Sequence, residues 1–202
     1  MSPKPDVSAE RIPLILNSAI KVFAKKGFEA TRMEDIAKAT KLSVGGVYWY
    51  YKSKEEIIIA IMEQLIDKDV KDLRALLEAE GTVRMRLETY ISLSIEAAQE
   101  YALVVYELYS LVPRNTKVRN HIRAYLQIYR DTLTQFVQQG VERGEFKPVK
   151  AGEAALAFAA LYEGTLELAM LEPQHIDSKK TLLHSFDLLM NGLENKNQGE
   201  KP

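Results

Sequence analysis

Apolar residues recur every three or four positions along almost the whole chain after Ser8, the spacing of helices that bury one face. The first such stripe holds Ile12, Ile15, Leu16, Ala19, Ile20, Phe23 and Ala24. Proline is tolerated in a first turn and not beyond it, so Pro13 predicts a start near Arg11 or Ile12. Gly27, after Lys25 and Lys26, reads as the residue that ends this helix. Thr31, with Glu34 three residues on, predicts an N-cap and capping box for a short helix burying Met33, Ile36 and Ala37. Ser43 predicts the cap of a second short helix, Val44 to about Tyr50. Ser53 caps a fourth, with Glu55 and Glu56 in its first turn, where carboxylates suit the helix dipole. That helix runs through Ile57, Ile61, Leu65, Val70, Leu73, Leu76 and Leu77 to a break at Gly81.

The remaining segments keep the same period. One carries Leu87, Tyr90, Ile91, Ser94, Ile95 and Ala98, and the apolar run YALVVYELYSLV follows it as far as Pro113. A long stripe from Val118 to Val141 ends at Gly144, and AGEAALAFAALYEGTLELAML stops before Pro173. A last stripe holds Leu182, Leu183, Phe186, Leu189 and Leu193, with a frayed tail expected after it. No strand alternation and no internal repeat appear, so the pattern predicts an all-α chain of about nine helices.

Four consecutive aromatics, Tyr48, Trp49, Tyr50 and Tyr51, change the picture. A helix turns about 100° per residue, so four side chains in a row point all the way round it and cannot share one core. Some of them must face outward, where large aromatics serve little unless something docks. Lys25, Lys26, Arg32, Lys38, Lys41, Lys52 and Lys54 surround them. Residues 1–54 hold ten Lys and Arg against five Asp and Glu, whereas the remainder holds 17 against 23. A basic end on an acidic body suits a polyanionic partner at that end, and a short exposed helix framed by positive charge suits the DNA major groove.

Residues 31–54 therefore read as a helix-turn-helix. Thr31 and Ser43 place two helix N-termini where backbone amides can hold phosphates, and Gly45 and Gly46 leave the start of the second helix bare for close approach. The chain has no cysteine, which removes disulfides, thiolate metal sites and thiol nucleophiles and fits a reducing cytoplasm. His121, His175 and His184 lack metal-ligand spacing and no phosphate-binding glycine loop occurs, so neither a metal nor a cofactor is expected. No signal-peptide pattern opens the chain, and no apolar run reaches the ~20 residues of a membrane span, so a soluble chain without membrane is expected.

The stretch ILNSAIKVFAKKGFEATRMEDIAKATKLSVGGVYWYYKSKEEII resembles the DNA-binding domain of the TetR family of bacterial transcriptional repressors. The alanine, phenylalanine, Gly27-Phe28 and Thr31 of its first part, then Ser43, Gly45, Tyr48, Tyr50, Tyr51, Ser53 and Lys54, carry the likeness. The resemblance covers the first 60 or so residues and fades after about residue 65. It implies a DNA-binding domain over residues 1–54 and a ligand-binding and dimerisation domain over 55–202. It implies phosphate contacts from Thr31, Ser43, Tyr48 and Lys54 and a groove-facing surface of Val44, Gly46, Trp49 and Tyr50, with Gly45 beside them. Positions 44 and 46 are commonly polar in the family; Val44 and Gly46 offer no side-chain hydrogen bond, so reading would fall to aromatic contact with thymine methyls, to Arg32 or Lys41, or to DNA shape. Tyr51, where phenylalanine is common, is expected in the domain core.

For the C-terminal body the resemblance implies an inducer pocket and a dimer face on the last two helices. Small residues between Ala151 and Leu171 would let helices approach closely, and Ala155, Ala159 and Gly164 with Phe186 and Leu189 are the candidate interface. Seven tyrosines follow residue 54, polar-tipped aromatics that suit a pocket for a flat or hydrophobic ligand or, equally, a buried core. Tyr90, Tyr106, Tyr109, Tyr125 and Tyr162, with His121 and Glu163, are the candidate ligand set. Glu163 and Glu167 share one face of a mostly apolar helix, at the solvent rim, against Arg130 or His121, or against a cationic ligand. The expected protein is a homodimeric repressor that binds a near-palindromic double-stranded operator and releases it on binding a small-molecule inducer. The alternatives are a ligand-independent architectural DNA binder and a helical carrier or enzyme; no nucleophile or acid–base pair stands out to favour the last.

Overall fold

The computed structural model describes residues 8–195. The chain up to residue 7 and residues 196–202, all but the first residue of the tail NKNQGEKP expected to fray, lie outside the described residues. Eight helices follow in order: α1 Ser8–Lys26, α2 Met33–Thr40, α3 Val44–Tyr50, α4 Lys54–Leu77, α5 Val83–Leu111, α6 Thr116–Glu142, α7 Ala151–Leu171 and α8 Ser178–Leu193. The only extended pairing among the described residues is a single antiparallel bridge between Phe146 and Glu194. The fold is all-α, as the periodicity predicts. Two segments expected separately, around Leu87–Ala98 and Tyr101–Val112, form the one continuous helix α5, because no proline or glycine lies between them to stop it. Helix α1 also begins earlier than expected, at Ser8, and keeps Pro13 inside it. A proline near a helix start forfeits one amide bond, and the strong apolar stripe of α1 offsets that loss.

The chain divides into two compact units. The first holds the chain up to Asp67 with residues 101–121; the second holds residues 68–100 and those from 122 onward. Helices α4, α5 and α6 thus contribute a portion to each. The boundary expected after residue 54 falls inside the first unit, because Ile57, Ile58, Ile61 and Met62 in the first turns of α4 are buried there.

In the first unit Ile15, Leu16, Ala19, Phe23, Phe28, Met33, Ile36, Ala37 and Val47 are buried, with the Phe23 and Phe28 rings 5.2 Å apart. Gly27 closes α1 in the left-handed region at φ 80° and donates its amide to the Phe23 carbonyl. In the second unit the core runs through Leu73, Leu87, Tyr90, Ile91, Tyr129, Phe136, Phe146, Phe158, Leu182 and Phe186. Arg86 is buried in it, with no carboxylate in ion-pair range among the described residues. Its guanidinium donates to the Leu77 carbonyl at 2.6 Å and to Gln139 at 2.9 Å, satisfying the C-terminus of α4, where a cation also suits the dipole. Arg84 joins Glu88, Asp187 and Glu194, tying the start of α5 to α8 and the residue after it.

Helix α7 departs from expectation in one respect. It is 21 residues long and holds an 18-residue window with a mean hydropathy of 1.4, enough to cross a membrane by length and composition alone. Its many alanines and leucines produce that value. One face, Ala154, Ala155, Phe158, Ala159, Tyr162 and Thr165, is buried in the second unit.

Candidate DNA-binding and effector sites

The sequence closes α2 with a lysine in an uncommon conformation. Lys41 adopts φ 58°, ψ 24°, the left-handed region usually left to glycine. The Leu42 amide then returns to the Ala37 carbonyl at 3.1 Å, and the chain turns within three residues. Ser43 accepts the Gly46 amide at 3.0 Å and starts α3 as predicted. The cap of α2 is shifted by one residue. Arg32 is the N-cap, and Asp35 rather than Glu34 accepts the Arg32 amide, at 2.8 Å. The Lys26 ammonium, 2.5 Å from Asp35, and the Arg32 amide hold this exposed carboxyl below the usual carboxylate range.

Two residues expected on phosphate are occupied within the protein. Thr31 is only 2% exposed, and its hydroxyl donates to the Gly27 carbonyl at 2.6 Å. That bond spans the turn between α1 and α2. The Lys54 ammonium donates to the Phe28 and Glu29 carbonyls at 2.8 and 3.0 Å and lies over the Phe28 ring. The Phe28 carbonyl also accepts the Thr31 amide at 3.1 Å, so the ammonium adds a second donor to this turn, which sequence spacing alone does not reveal.

Helix α3 turns Val47 fully inward and presents the remainder. Val44, Gly45 and Tyr48 are exposed, Gly46 and Tyr50 are half-buried, and Trp49 is 69% exposed. The Trp49 and Tyr50 rings meet edge to face at 4.6 Å, which stiffens the outward aromatic. Arg32 and Lys41 are exposed at the end and start of the flanking turns. Lys52 donates to the Tyr48 carbonyl at 2.7 Å and closes the C-terminus of α3. Tyr51 is half-buried, and burial, with the Glu63 carboxylate nearby, pushes its hydroxyl pKa up.

The candidate ligand residues are divided between the two units. In the first, Tyr106 and Tyr109 are exposed, and His121 bonds the Glu63 carboxylate at 2.9 Å and the Lys117 carbonyl at 2.9 Å. In the second, Tyr90, Tyr125 and Tyr162 gather with Tyr129 around Asp69. Asp69 accepts the Tyr125 hydroxyl at 3.0 Å and the Tyr90 hydroxyl at 3.1 Å. Ring centroids are 5.8 Å apart for Tyr125 and Tyr129, 6.1 Å for Tyr90 and Tyr129, and 6.0 Å for Tyr90 and Tyr162. Burial raises the Asp69 pKa against the pull of its two phenol donors, and burial likewise pushes all four phenols up. Glu163 is half-buried, and its field reaches Tyr125, Tyr129 and Tyr162. Arg130 bonds Gln127 at 2.8 Å, and Glu167 is exposed. A separate groove of about 480 Å³ lies between α4 and α6, lined by Arg74, Leu77, Glu78, Ile128, Asp131, Thr132 and Gln135.

The candidate interface residues divide by burial. Ala155, Ala159 and Phe186 are buried in the second unit's own core, and Gly164 and Leu189 are half-buried. Small residues packed inward because α7 lies close against α8 within one chain. The large apolar side chains left outside are Leu156, Leu168 and Leu171 of α7 and Leu188 of α8.

Comparison with known proteins agrees with this geometry. Residues 15–61 match the model of bacterial regulatory proteins of the tetR family, and residues 86–182 match that of a tetracyclin repressor-like C-terminal domain. The HTH-type transcriptional regulator UidR of Escherichia coli K12 is 33% identical over 138 residues, 66% of this chain and 68% of that protein. The chain belongs to the TetR family. It is a transcriptional regulator, and its relatives are regulators rather than enzymes. Solved structures share the fold. A transcriptional regulator of Saccharomonospora viridis in complex with choline has a TM-score of 0.83 at 19% identity over 93% of this chain and all of that one. FadR of Bacillus subtilis in complex with stearoyl-CoA has a TM-score of 0.75 at 22% identity, over 89% and 98%.

Within this TetR-family chain, two site residues escaped the sequence. Asp69 sits in the charged run DKDVKD, which reads as a solvated helix face. Tyr129 is one of the seven tyrosines after residue 54, stands outside the candidate ligand set and has no distinguishing spacing. Only the convergence of α4, α5, α6 and α7 marks them.

Proposed function

We propose that this regulator is a homodimeric repressor that holds a near-palindromic operator through α3 of each protomer and releases it when a small apolar or aromatic inducer binds its C-terminal body. The observation that carries the reading is Trp49: a tryptophan 69% exposed on a seven-residue helix, capped by Ser43 and flanked by exposed Arg32, Lys41, Val44 and Tyr48. Aromatic and β-branched surface without polar side chains at positions 44 and 46 suits thymine methyls and base-edge contact, while the lysine and arginine of the turns supply phosphate attraction. Dimerisation is supported by Leu156, Leu168, Leu171 and Leu188, large apolar side chains left on the α7 and α8 surface. Inducer binding is supported by similar structures that hold choline and stearoyl-CoA. A regulator acting on an operator works in the cytoplasm, with the chromosome, and that is the location this reading carries.

The test is selection of bound sequences from a random DNA pool at low and near-physiological salt, together with the mass of the particle in solution. An inverted repeat bound by a dimer is the expected result. Enrichment without a common sequence gives the architectural reading instead, and no DNA retained at low salt removes the repressor reading.

A further inference from the structure

We propose that the second unit receives its effector as an organic monocation of the quaternary ammonium type, held by the Asp69 carboxylate among the rings of Tyr90, Tyr125, Tyr129 and Tyr162. This inference rests on the ligand-responsive reading above and gives its inducer a charge.

The first ground is an uncompensated charge. Asp69 accepts bonds from two phenols but has no ion-pair partner among the described residues. Lys68 is the neighbouring cation on α4, and it gives its ammonium to Asp72 at 3.1 Å. Glu163 on α7 adds a second carboxylate whose field reaches the same tyrosines. Asp69 thus lies in a mostly apolar surround, where a carboxylate without a counter-charge is costly.

A second, independent ground is the Tyr129 hydroxyl. It is fully buried and makes no hydrogen bond; its polar neighbour, Tyr90, is turned to Asp69. A buried phenol in this state can still donate or accept, and the positively polarised methyl groups of an ammonium ion beside its oxygen would answer the acceptor side.

The third ground is the rings themselves. Four tyrosines from α5, α6 and α7 form a continuous tier with centroids 5.8 to 6.1 Å apart. A quaternary ammonium needs no hydrogen-bond acceptor, is weakly hydrated and gains from both π faces and a carboxylate. A neutral hydrophobe would bury the Asp69 charge without an answer, and an anion would meet the Asp69 carboxylate. At these spacings the tier is closed, so the cation must part the rings. Asp69 and Tyr125 are half-buried while Tyr90, Tyr129 and Tyr162 are buried, so entry is on the Asp69–Tyr125 side. Parting that pair separates α4 from α6, and α4 is the helix that also carries Lys54.

The experiment is calorimetric titration of the full-length protein with benzyltrimethylammonium and with its neutral carbon isostere neopentylbenzene. It is repeated on Asp69→Asn and Tyr125→Leu, each checked for native helicity and melting temperature. The cation is expected to bind wild-type protein at least about ten-fold more tightly than the isostere, the factor that about 1.4 kcal/mol represents. Asp69→Asn should lose about ten-fold for the cation while its affinity for the isostere does not fall, because the unanswered charge that penalised the neutral probe is gone. Equal affinity for the two probes, no cation binding at millimolar concentration, or an unchanged Asp69→Asn overturns the proposal. Release of selected operator DNA separates this from the broader reading. Release by a neutral apolar compound and not by the cation sinks the cation alone. Tight, Asp69-dependent cation binding without operator release keeps this site and removes the inducer role.

Discussion

The Lys54 ammonium lies 2.8 Å from the Phe28 carbonyl and 4.5 Å from the centroid of the Phe28 ring. With the second bond to Glu29, the first residue of α4 anchors the turn that follows α1. Lys54→Met keeps the aliphatic stem and removes both bonds, so it should lower stability by about 2 kcal/mol. The dependence of operator affinity on salt should keep its slope, because a lysine engaged with carbonyls releases few counterions on binding DNA. A phosphate-gripping lysine gives the opposite pair of results, little change in melting and a shallower slope.

Trp49 supplies the contrasting case. Its side chain is outside the core, so Trp49→Ala should leave the melting temperature within about a degree, as exposed substitutions away from caps do. Operator affinity should fall at least ten-fold, a loss of the size expected for an apolar base contact. Fluorescence gives the same answer without a mutation: Trp49 is the only tryptophan, and its emission should shift on operator binding. Emission unchanged at saturation would show that α3 does not meet the DNA.

Lys41 holds a positive φ that lysine adopts at a cost of about 1 kcal/mol relative to glycine. Lys41→Gly should therefore stabilise the free protein by about 0.5–1 kcal/mol. If the lysine also touches a phosphate, the same variant should weaken operator binding and reduce the salt slope by about one ion. Higher melting with unchanged DNA affinity would leave Lys41 a turn residue only.

The helices and the turn between α2 and α3 were legible because they are set by local chemistry: the stripe of Met33, Ile36 and Ala37, the Ser43 cap, and Val47 as the inward residue of α3. The contacts of Thr31 and Lys54 were not, because both side chains are polar and short-range sequence cannot say whether a carbonyl or a phosphate stands opposite. Small residues on α7 were visible, but which helix they approach was not; they face α8 of the same chain, and the leucines on the other side of α7 were hidden in a helix that is apolar nearly all round. Asp69 shows the limit most plainly, since its partners Tyr90 and Tyr125 lie 21 and 56 residues away in sequence.

Gly140 marks a close approach inside α6. A Cβ there would stand 2.3 Å from the Phe146 ring, whose own amide bonds the Gly140 carbonyl at 2.9 Å. Phe146 is fully buried and anchors the bridge to Glu194, so its ring has no room to yield. Gly140→Ala should cost about 3 kcal/mol despite alanine's better helix propensity, the overpacking penalty exceeding that gain. Gly45→Ala is the control. Its Cβ meets nothing within 4 Å, and it should stabilise the free protein by a few tenths of a kcal/mol up to about 1. A Gly140→Ala protein that melts with wild type would place the Phe146 ring elsewhere.

The pH dependence of stability tests the charge state of Asp69 without any ligand. The groups facing it are Lys68 and Asp72 on α4, Tyr90 on α5, Tyr125 and Tyr129 on α6, and, through the tyrosines, Tyr162 and Glu163 on α7. Burial raises its pKa in the folded chain above the ordinary value of 3.8, so the folded state holds this proton more tightly than the unfolded state does. Asp69 therefore favours folding most below its unfolded pKa. That contribution is lost as pH rises through the folded value, opposite in sign to Asp35, whose lowered pKa stabilises the fold above 3.8 and ceases to do so on acidification. Asp69→Asn removes the buried charge and keeps an oxygen for one phenol. Its stability relative to wild type should be greatest at neutral pH and should decline steadily as pH falls toward 4. A difference that is flat with pH, or that grows on acidification, would mean that the tyrosine cluster stabilises the carboxylate by more than burial penalises it.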